Sequence, residues 1–364
     1  MAFVKDMLRM WAHSWKRFIS IAMITLLGVA VLTGIYAGCR DAFRSTDRFF
    51  DAQGLHDVQV LSTAGLSNGD IAALRKEALI HTMPNYYAHL TFGQRVLADL
   101  PAGLSELIEQ EREAFDLGCL GPDPLFFYQP IRPNAVRREG IKMHRRSALP
   151  AVERLRQAIE DGVPMSTGYG AGFLCHLALD SACHGYVDDR AADGPISHMA
   201  IEGEYDRMLM ERDGLNAAEQ SPLPSAPADR AVWEAASQAF VHASPDQMRR
   251  AYRSMAFFSG FLARSNGRMT GKVIGAVSHM LPIPSAKGIA LKETPHPSAQ
   301  ESNADLNRLL EAAIPETAEQ ITAFFQAISA ETPVPRWFDR DFKGNPPPIP
   351  QRIRWQDIPE HSVT

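Results

Sequence analysis

The sequence predicts an all-α protein on three observations. From about Met83 onward, apolar residues recur three and four apart in blocks of helical length. Gly- and Pro-rich stretches separate the blocks. The alternation of a strand is scarce outside the short "HDVQVLS" that begins at His56. A chain of 364 residues with 45% hydrophobic content has room for one large domain or two ordinary ones.

Taken in order, "MPNYYAHLTFGQRVL" opens the helical region, with Leu90, Phe92, Val96 and Leu97 on its apolar side. Further helices are expected over 104–115, 148–159, 169–183, 198–211, 231–241, 245–264 and 304–330. Ser197 is placed to cap the one that begins at His198. The stretch "AAEQSPLPSAPAD" reads as a loop, and "VPRWFDRDFKGNPPPIPQRIRW" as a Pro-rich tail. Trp337, Phe338, Phe342 and Trp355 are expected to pin that tail against the helical body. There is no internal repeat.

The N-terminal part differs in character. Residues 19–38, "ISIAMITLLGVAVLTGIYAG", carry no charge, and about 20 such residues cross a bilayer as a helix. A transmembrane segment is therefore expected. Lys5, Arg9, Lys16 and Arg17 precede it, which favours a cytoplasmic N-terminus and a helical domain outside the cell membrane. If the working chain starts at Met83, a soluble cytoplasmic protein is expected instead. The span, with the stalk and short strand after it, resembles the beginning of permease subunits of the family that includes the MacB and FtsX transporters. We divide the chain into a permease-like segment, 1–82, a helical domain, 83–332, and a tail, 333–364.

Charge and cysteines narrow the function. The balance of 37 basic against 42 acidic residues gives −5, so no basic field favours nucleic acid as a partner. Cys39, Cys119, Cys175 and Cys183 are too few and scattered for a disulfide framework, and reduced thiols are expected. Cys175 and Cys183 each precede a histidine, which leaves them open as metal ligands.

The stretch "GFLCHLALDSACHGY" is the most informative. A helix turns once in about 3.6 residues, so His176, Asp180 and His184 lie in one row and can converge on one point. "SHMAIE" repeats the device with His198 and Glu202. His89, Asp116, Asp123 and His144 stand upstream. Imidazole and carboxylate are the ligand set of hydrolytic zinc sites, and the four-residue spacing delivers two ligands from one helix without a loop. Two such pairs close together predict a multinuclear centre.

From Met83 to about Arg212 these residues resemble the zinc-dependent phospholipase C family, which shares an all-helical fold and a three-zinc cluster with the single-strand-specific zinc nucleases. Its pattern is an early His, an Asp after a Gly-rich turn, a single His, then HxxxD, a His and HxxxE. The resemblance implies a first zinc on Asp123, His144, His176 and Asp180, and a second on His184, His198 and Glu202. A third would rest on His89 with Asp180 as a bridge. Asp116 is the alternative to Asp123, which follows Gly121 and Pro122 in a turn. In secreted members the N-terminal amine completes the third site, whereas His89 lies well inside this chain. The step from Asp180 to His184 is shorter than in the best-known members, which brings in Cys183 or Asp188 as alternatives to His184.

The function so implied is hydrolysis of a phospholipid phosphodiester, in which zinc polarises the phosphoryl group and lowers the pKa of water toward about 7. Asp123 is the candidate for orienting or deprotonating that water. Tyr86, Tyr87, Phe126, Phe127 and Tyr128 are candidates for lining a head-group pocket, with core packing as the competing role for the phenylalanines. Two other readings remain open: a single-strand nuclease-like phosphodiesterase, and a non-catalytic, zinc-stabilised protein that docks with a membrane transporter.

Overall fold

A computed structural model describes residues 86–130, 133–217, 220–264 and 295–347. The chain divides into units Met1–Ile71 and Ala72–Thr364, and every described residue lies in the second. The expected span at 19–38 and the permease-like segment lie outside the described residues. Among the described residues no helix is long and apolar enough to cross a membrane.

The described residues form ten α-helices and no strand. These are α1 (Tyr86–Asp99), α2 (Ala102–Gln110), α3 (Arg112–Gly118), α4 (Ala135–Met143), α5 (Leu149–Glu160), α6 (Ser166–Asp193), α7 (His198–Arg212), α8 (Arg230–Gln238), α9 (Pro245–Arg264) and α10 (Ala299–Ser329). Short 3-10 turns cover Asp123–Phe127 and Arg336–Phe338. Side-chain caps mark several starts: Ser197 accepts from the Ala200 amide, Asn134 from Arg137 and Asp229 from Ala231.

Two elements depart from the sequence reading. The helix expected over 104–115 is broken at Glu111 into α2 and α3. Helix α4 was not anticipated, because its "AVRREGIKM" is strongly charged and buries only Val136 and Gly140.

Helix α6 is the axis of the domain. It packs against α1, α2, α3, α5, α7, α8 and α10, and residues 168–180 are buried on every side. That explains its composition, since a helix surrounded by others is apolar all round and admits polar groups only where they find partners. Its closest neighbour is α3. A Cβ on Gly172 would stand 2.8 Å from the Cys119 amide nitrogen, and one on Gly118 would stand 3.0 Å from the Gly172 Cα. The two helices therefore touch backbone to backbone, which only glycines permit.

The tail's first part completes the core. Val334, Phe338 and Phe342 are buried, each phenylalanine contributing about 1.5–3 kcal/mol by leaving water. The Arg340 carbonyl accepts from the Ala148 amide at 2.8 Å, Asp339 accepts from Ser147 at 2.6 Å, and Lys343 pairs with Asp188 at 2.6 Å. Trp337 is half-buried, with Arg340 stacked 3.9 Å over its ring, whereas Trp355 lies outside the described residues.

Candidate metal centre

The backbone contact between α3 and α6 sets up the site. Just past α3 the chain turns at Gly121, whose φ of +51° favours glycine, and the His176 ring occupies the space where a Cβ would be. The turn delivers Asp123 to the same ring. Asp123 Oδ1 lies 3.0 Å from His144 Nε2 and 3.9 Å from His176 Nε2. Asp116 is elsewhere, bound to Arg112 at 2.8 Å on α3.

Asp180 is the hub. Its Oδ1 stands 3.2 Å from His89 Nε2 and 3.3 Å from His184 Nδ1, and its Oδ2 stands 3.3 Å from His176 Nε2 and 3.9 Å from His144 Nε2. The His89 and His176 rings stack with centroids 4.2 Å apart. Beyond His184, Glu202 Oε1 lies 3.9 Å from His184 Nε2 and 3.1 Å from His198 Nε2. All eight expected donor residues thus meet in one cluster, buried except for the half-buried His184.

Backbone carbonyls orient two of the rings. His144 Nδ1 donates to the Gly140 carbonyl at 2.8 Å and His176 Nδ1 to the Cys119 carbonyl at 3.1 Å. A carbonyl only accepts, so Nδ1 carries a proton in both rings and Nε2 is the atom each ring presents to the carboxylates, the orientation in which imidazole binds metal. Phe342 backs the same two rings at 4.8 and 5.7 Å, and Phe126 packs on His144 at 5.0 Å.

Electrostatics mark the cluster as a cation site. Burial opposes charge on His184 and His198, but Asp180 and Glu202 around His184, and Glu202 and Asp188 around His198, outweigh it. His184 is raised to about 9 and His198 to about 10. Burial likewise pushes Asp180 upward, yet the imidazoles of His184 and His176 hold it well below the usual carboxylate range. Asp123 Oδ2, His176 Nε2 and Glu202 Oε2 are buried with no hydrogen-bond partner. Such orphaned atoms are costly unless something binds them. Three groups bring their donor atoms within 4.8 Å of one another: His89, Asp123 and His176; His144, His176 and Asp180; and His184, His198 and Glu202. The donor set is nitrogen and carboxylate oxygen, and it fits zinc.

The expected head-group residues divide. Tyr86 is buried, with its hydroxyl unpartnered and its phenol pushed up by burial, Asp123, Asp206 and Glu202. Tyr87, a step of about 100° round the helix, turns away from the cluster. Its hydroxyl donates to Asp213, and its ring lines a separate cavity of about 210 Å³ with Leu90, Thr91, Gln94 and Asp116. Phe127 is half-buried against Phe258 at 6.2 Å, and Tyr128 is buried with its hydroxyl 3.5 Å from Gln247.

Two contributors escaped the sequence reading. Asp206, one turn beyond Glu202 on α7, accepts the amides of Tyr87 at 3.0 Å and Ala88 at 2.8 Å, tying α7 to the first turn of the helix that carries His89. Burial lifts its carboxyl to about 7, with Glu202 adding to the rise and the two amides opposing it. The four-residue row His198, Glu202, Asp206 was its available signal. Asp188, which continues the row of α6, lies 3.1 Å from His198 Nδ1 and is held by Lys343. It orients a donor ring and does not replace His184. None of the three donor groups includes Cys175 or Cys183; both are free thiols, buried in the core.

An all-helical domain built round buried imidazoles and carboxylates is of the class that can hold metal ions. Comparison with known families names the kind: residues 88–254 match the family described as zinc dependent phospholipase C, and all eight donor residues fall inside that match. The helical domain is therefore a zinc-dependent hydrolase of the phospholipase C type, with phospholipid as the substrate that family implies. The match lends nothing to the permease-like reading of the residues before it. Neither the curated proteins nor the solved structures gave a match.

Proposed function

We propose that Asp123, His144, His176 and Asp180 hold one zinc ion, that His184, His198 and Glu202 hold a second, and that His89 with Asp180 offers a third place. The observation that carries this reading is the position of Asp180, with four imidazoles divided between its two oxygens at 3.2 to 3.9 Å. Bound zinc supplies Lewis acidity toward the phosphoryl oxygens and makes water nucleophilic near neutral pH. The chain's own residues do the rest. Asp123 Oδ2, which has no protein partner, accepts a proton from the attacking water. Tyr86, whose hydroxyl is likewise unpartnered, donates to the phosphodiester. The water oxygen forms a bond to phosphorus while the bond to the glycerol oxygen breaks, and the proton taken up by Asp123 is returned to that leaving oxygen, which gives diacylglycerol and a phosphorylated head group.

The domain acts at a membrane surface, anchored by residues 19–38 with the N-terminus in the cytoplasm. Charge on the N-terminal flank supports that topology. Protease applied to spheroplasts should digest the domain, and full protection of a membrane-bound chain would reverse the orientation.

The chemical test measures zinc per chain in the purified protein and then offers it phosphatidylcholine beside single-stranded DNA. Release of diacylglycerol and phosphocholine with DNA intact is expected. Cleavage of DNA alone would replace the phospholipase reading with a nuclease.

A further inference from the structure

Helix α4 adds little to the core, and its two sides differ sharply. Val136, Gly140 and His144 are buried, whereas Arg138, Lys142 and Arg146 are exposed. Each set steps by four residues, and the two sets are offset by two, which is about 200° round a helix. One side packs while the other presents a row of cations.

The buried side serves the metal centre. A Cβ on Gly140 would stand 2.9 Å from the Leu125 Cβ, in the 3-10 turn that begins with Asp123, and His144, just past the helix, holds its Nε2 3.0 Å from Asp123 Oδ1. The cationic row therefore lies one helix width, about 10 Å, behind a proposed zinc ligand.

The charges of that row are not balanced within the fold. Among the described residues no salt bridge includes Arg138, Lys142 or Arg146. Glu139, the acid beside them in sequence, is engaged elsewhere, accepting the Val241 amide at 2.6 Å and the His242 amide at 2.7 Å. Other helices pair their arginines along the surface: Arg112 meets Glu109 and Asp116, and Arg156 meets Glu153 and Glu160. Here like charges stand four apart, a spacing at which they repel. The helix dipole favours Lys142 near the C-terminal end but not Arg138 in the first turn. Between Asp123 and Glu153 the sequence sets six Lys and Arg against that single Glu, in a chain whose net charge is −5.

We propose that this side of α4 docks on an anionic phospholipid surface, an inference that rests on the phospholipid substrate stated above. Charge complementarity selects that occupant. Guanidinium groups pair with head-group phosphates, and each Lys or Arg near an anionic bilayer strengthens the hold about fivefold. Nucleic acid carries the same sign of charge, but the substrate that the matched family implies lies in a bilayer.

The test holds the full chain in phosphatidylcholine nanodiscs on a sensor and passes over it further phosphatidylcholine discs with or without phosphatidylserine. Wild type should bind discs that contain phosphatidylserine and ignore those that lack it. Arg138→Gln, Lys142→Gln and Arg146→Gln combined should weaken that binding on the order of 100-fold, and raised salt should weaken the wild type likewise. All three side chains are exposed, so helicity and zinc content should match wild type; if the triple variant has lost either, Arg138→Gln alone decides, with about a fivefold loss expected. Binding that is indifferent to phosphatidylserine, or equal in wild type and variant, overturns the docking side. Capture of single-stranded DNA in place of the discs, lost in the variant, assigns the row to nucleic acid and also overturns it. Turnover of dissolved short-chain phosphatidylcholine is read separately and should be equal in wild type and variant; a loss there as large as the loss of binding overturns a role confined to docking. If wild type cleaves no phospholipid, the hydrolase reading fails by itself while the sensor still decides the docking.

Discussion

Replacing Gly121 by Ala should remove zinc by pushing one ring out of place. A Cβ there would stand 2.5 Å from His176 Cγ and 2.8 Å from Nε2, and closer still to Cδ2. Ordinary carbon contacts are about 3.5–4.0 Å, so the ring must move by about 1 Å. Zinc ligands tolerate errors of only about 0.2 Å, and a shift several times larger costs the bond. The positive φ adds about 1–2 kcal/mol of backbone strain for any residue with a side chain. Gly162 separates the two effects, because its φ is +69° yet nothing lies within 4 Å of the missing Cβ. Gly162→Ala should lose about the same 1–2 kcal/mol in a urea titration and keep its zinc. Gly121→Ala should lose about 1–3 kcal/mol more, from overpacking, and elute from a desalting column with less zinc per chain than wild type. Equal zinc in both variants would refute the placement of His176 as a ligand held by that turn.

Other outcomes follow from the same geometry. Asp180→Asn should reduce turnover on the order of 100-fold or more and lower zinc content, since it strips charge from the carboxylate that four imidazoles share; near-normal values in both would remove Asp180 from the bridge. In metal-free protein His184 and His198, raised to about 9 and about 10, bind protons that the unfolded chain releases near pH 6.5, so their stabilisation is complete below about 6.5 and is lost as pH rises through 9 and 10. Zinc takes neutral imidazole, so calorimetry at neutral pH in buffers of different ionisation heat should register protons released on binding, and no buffer dependence would contradict the raised values. Asp206→Ala orphans the Tyr87 and Ala88 amides at about 1–3 kcal/mol each, to be read from the urea midpoint. Because the folded Asp206 keeps its proton to about 7 and the unfolded one only to about 4, wild-type stability should fall as pH rises between those values, and the variant should show a flatter slope.

What the sequence disclosed and what it withheld follow from range. His176, Asp180 and His184 lie on one helix, and a fixed period turns their spacing into direction. The same period lay behind His198 and Glu202, and a Gly-Pro turn pointed to Asp123. Asp206 is different. It is one more step in a visible row, but its partners are amides more than a hundred residues earlier, and no local pattern encodes such a pairing. Tyr87 shows a different limit. Its type suits a head-group pocket, but its neighbour Tyr86 took the inward side of α1, and one helical step turned Tyr87 toward Asp213. The break at Glu111 was hidden because the apolar positions keep helical spacing on both sides of it.

Phe342 backs the rings of His144 and His176, and Lys343 steadies the Asp188 that faces His198. A ribosome delivers the chain from its N-terminus, so every donor residue from His89 to Glu202 has emerged long before Phe342 is made. During that interval the nascent chain offers imidazoles and carboxylates without their backing, open to whichever cation is nearest. The packing behind His144 and His176 and the Lys343 pairing of Asp188 are complete only once residues 342 and 343 are in place.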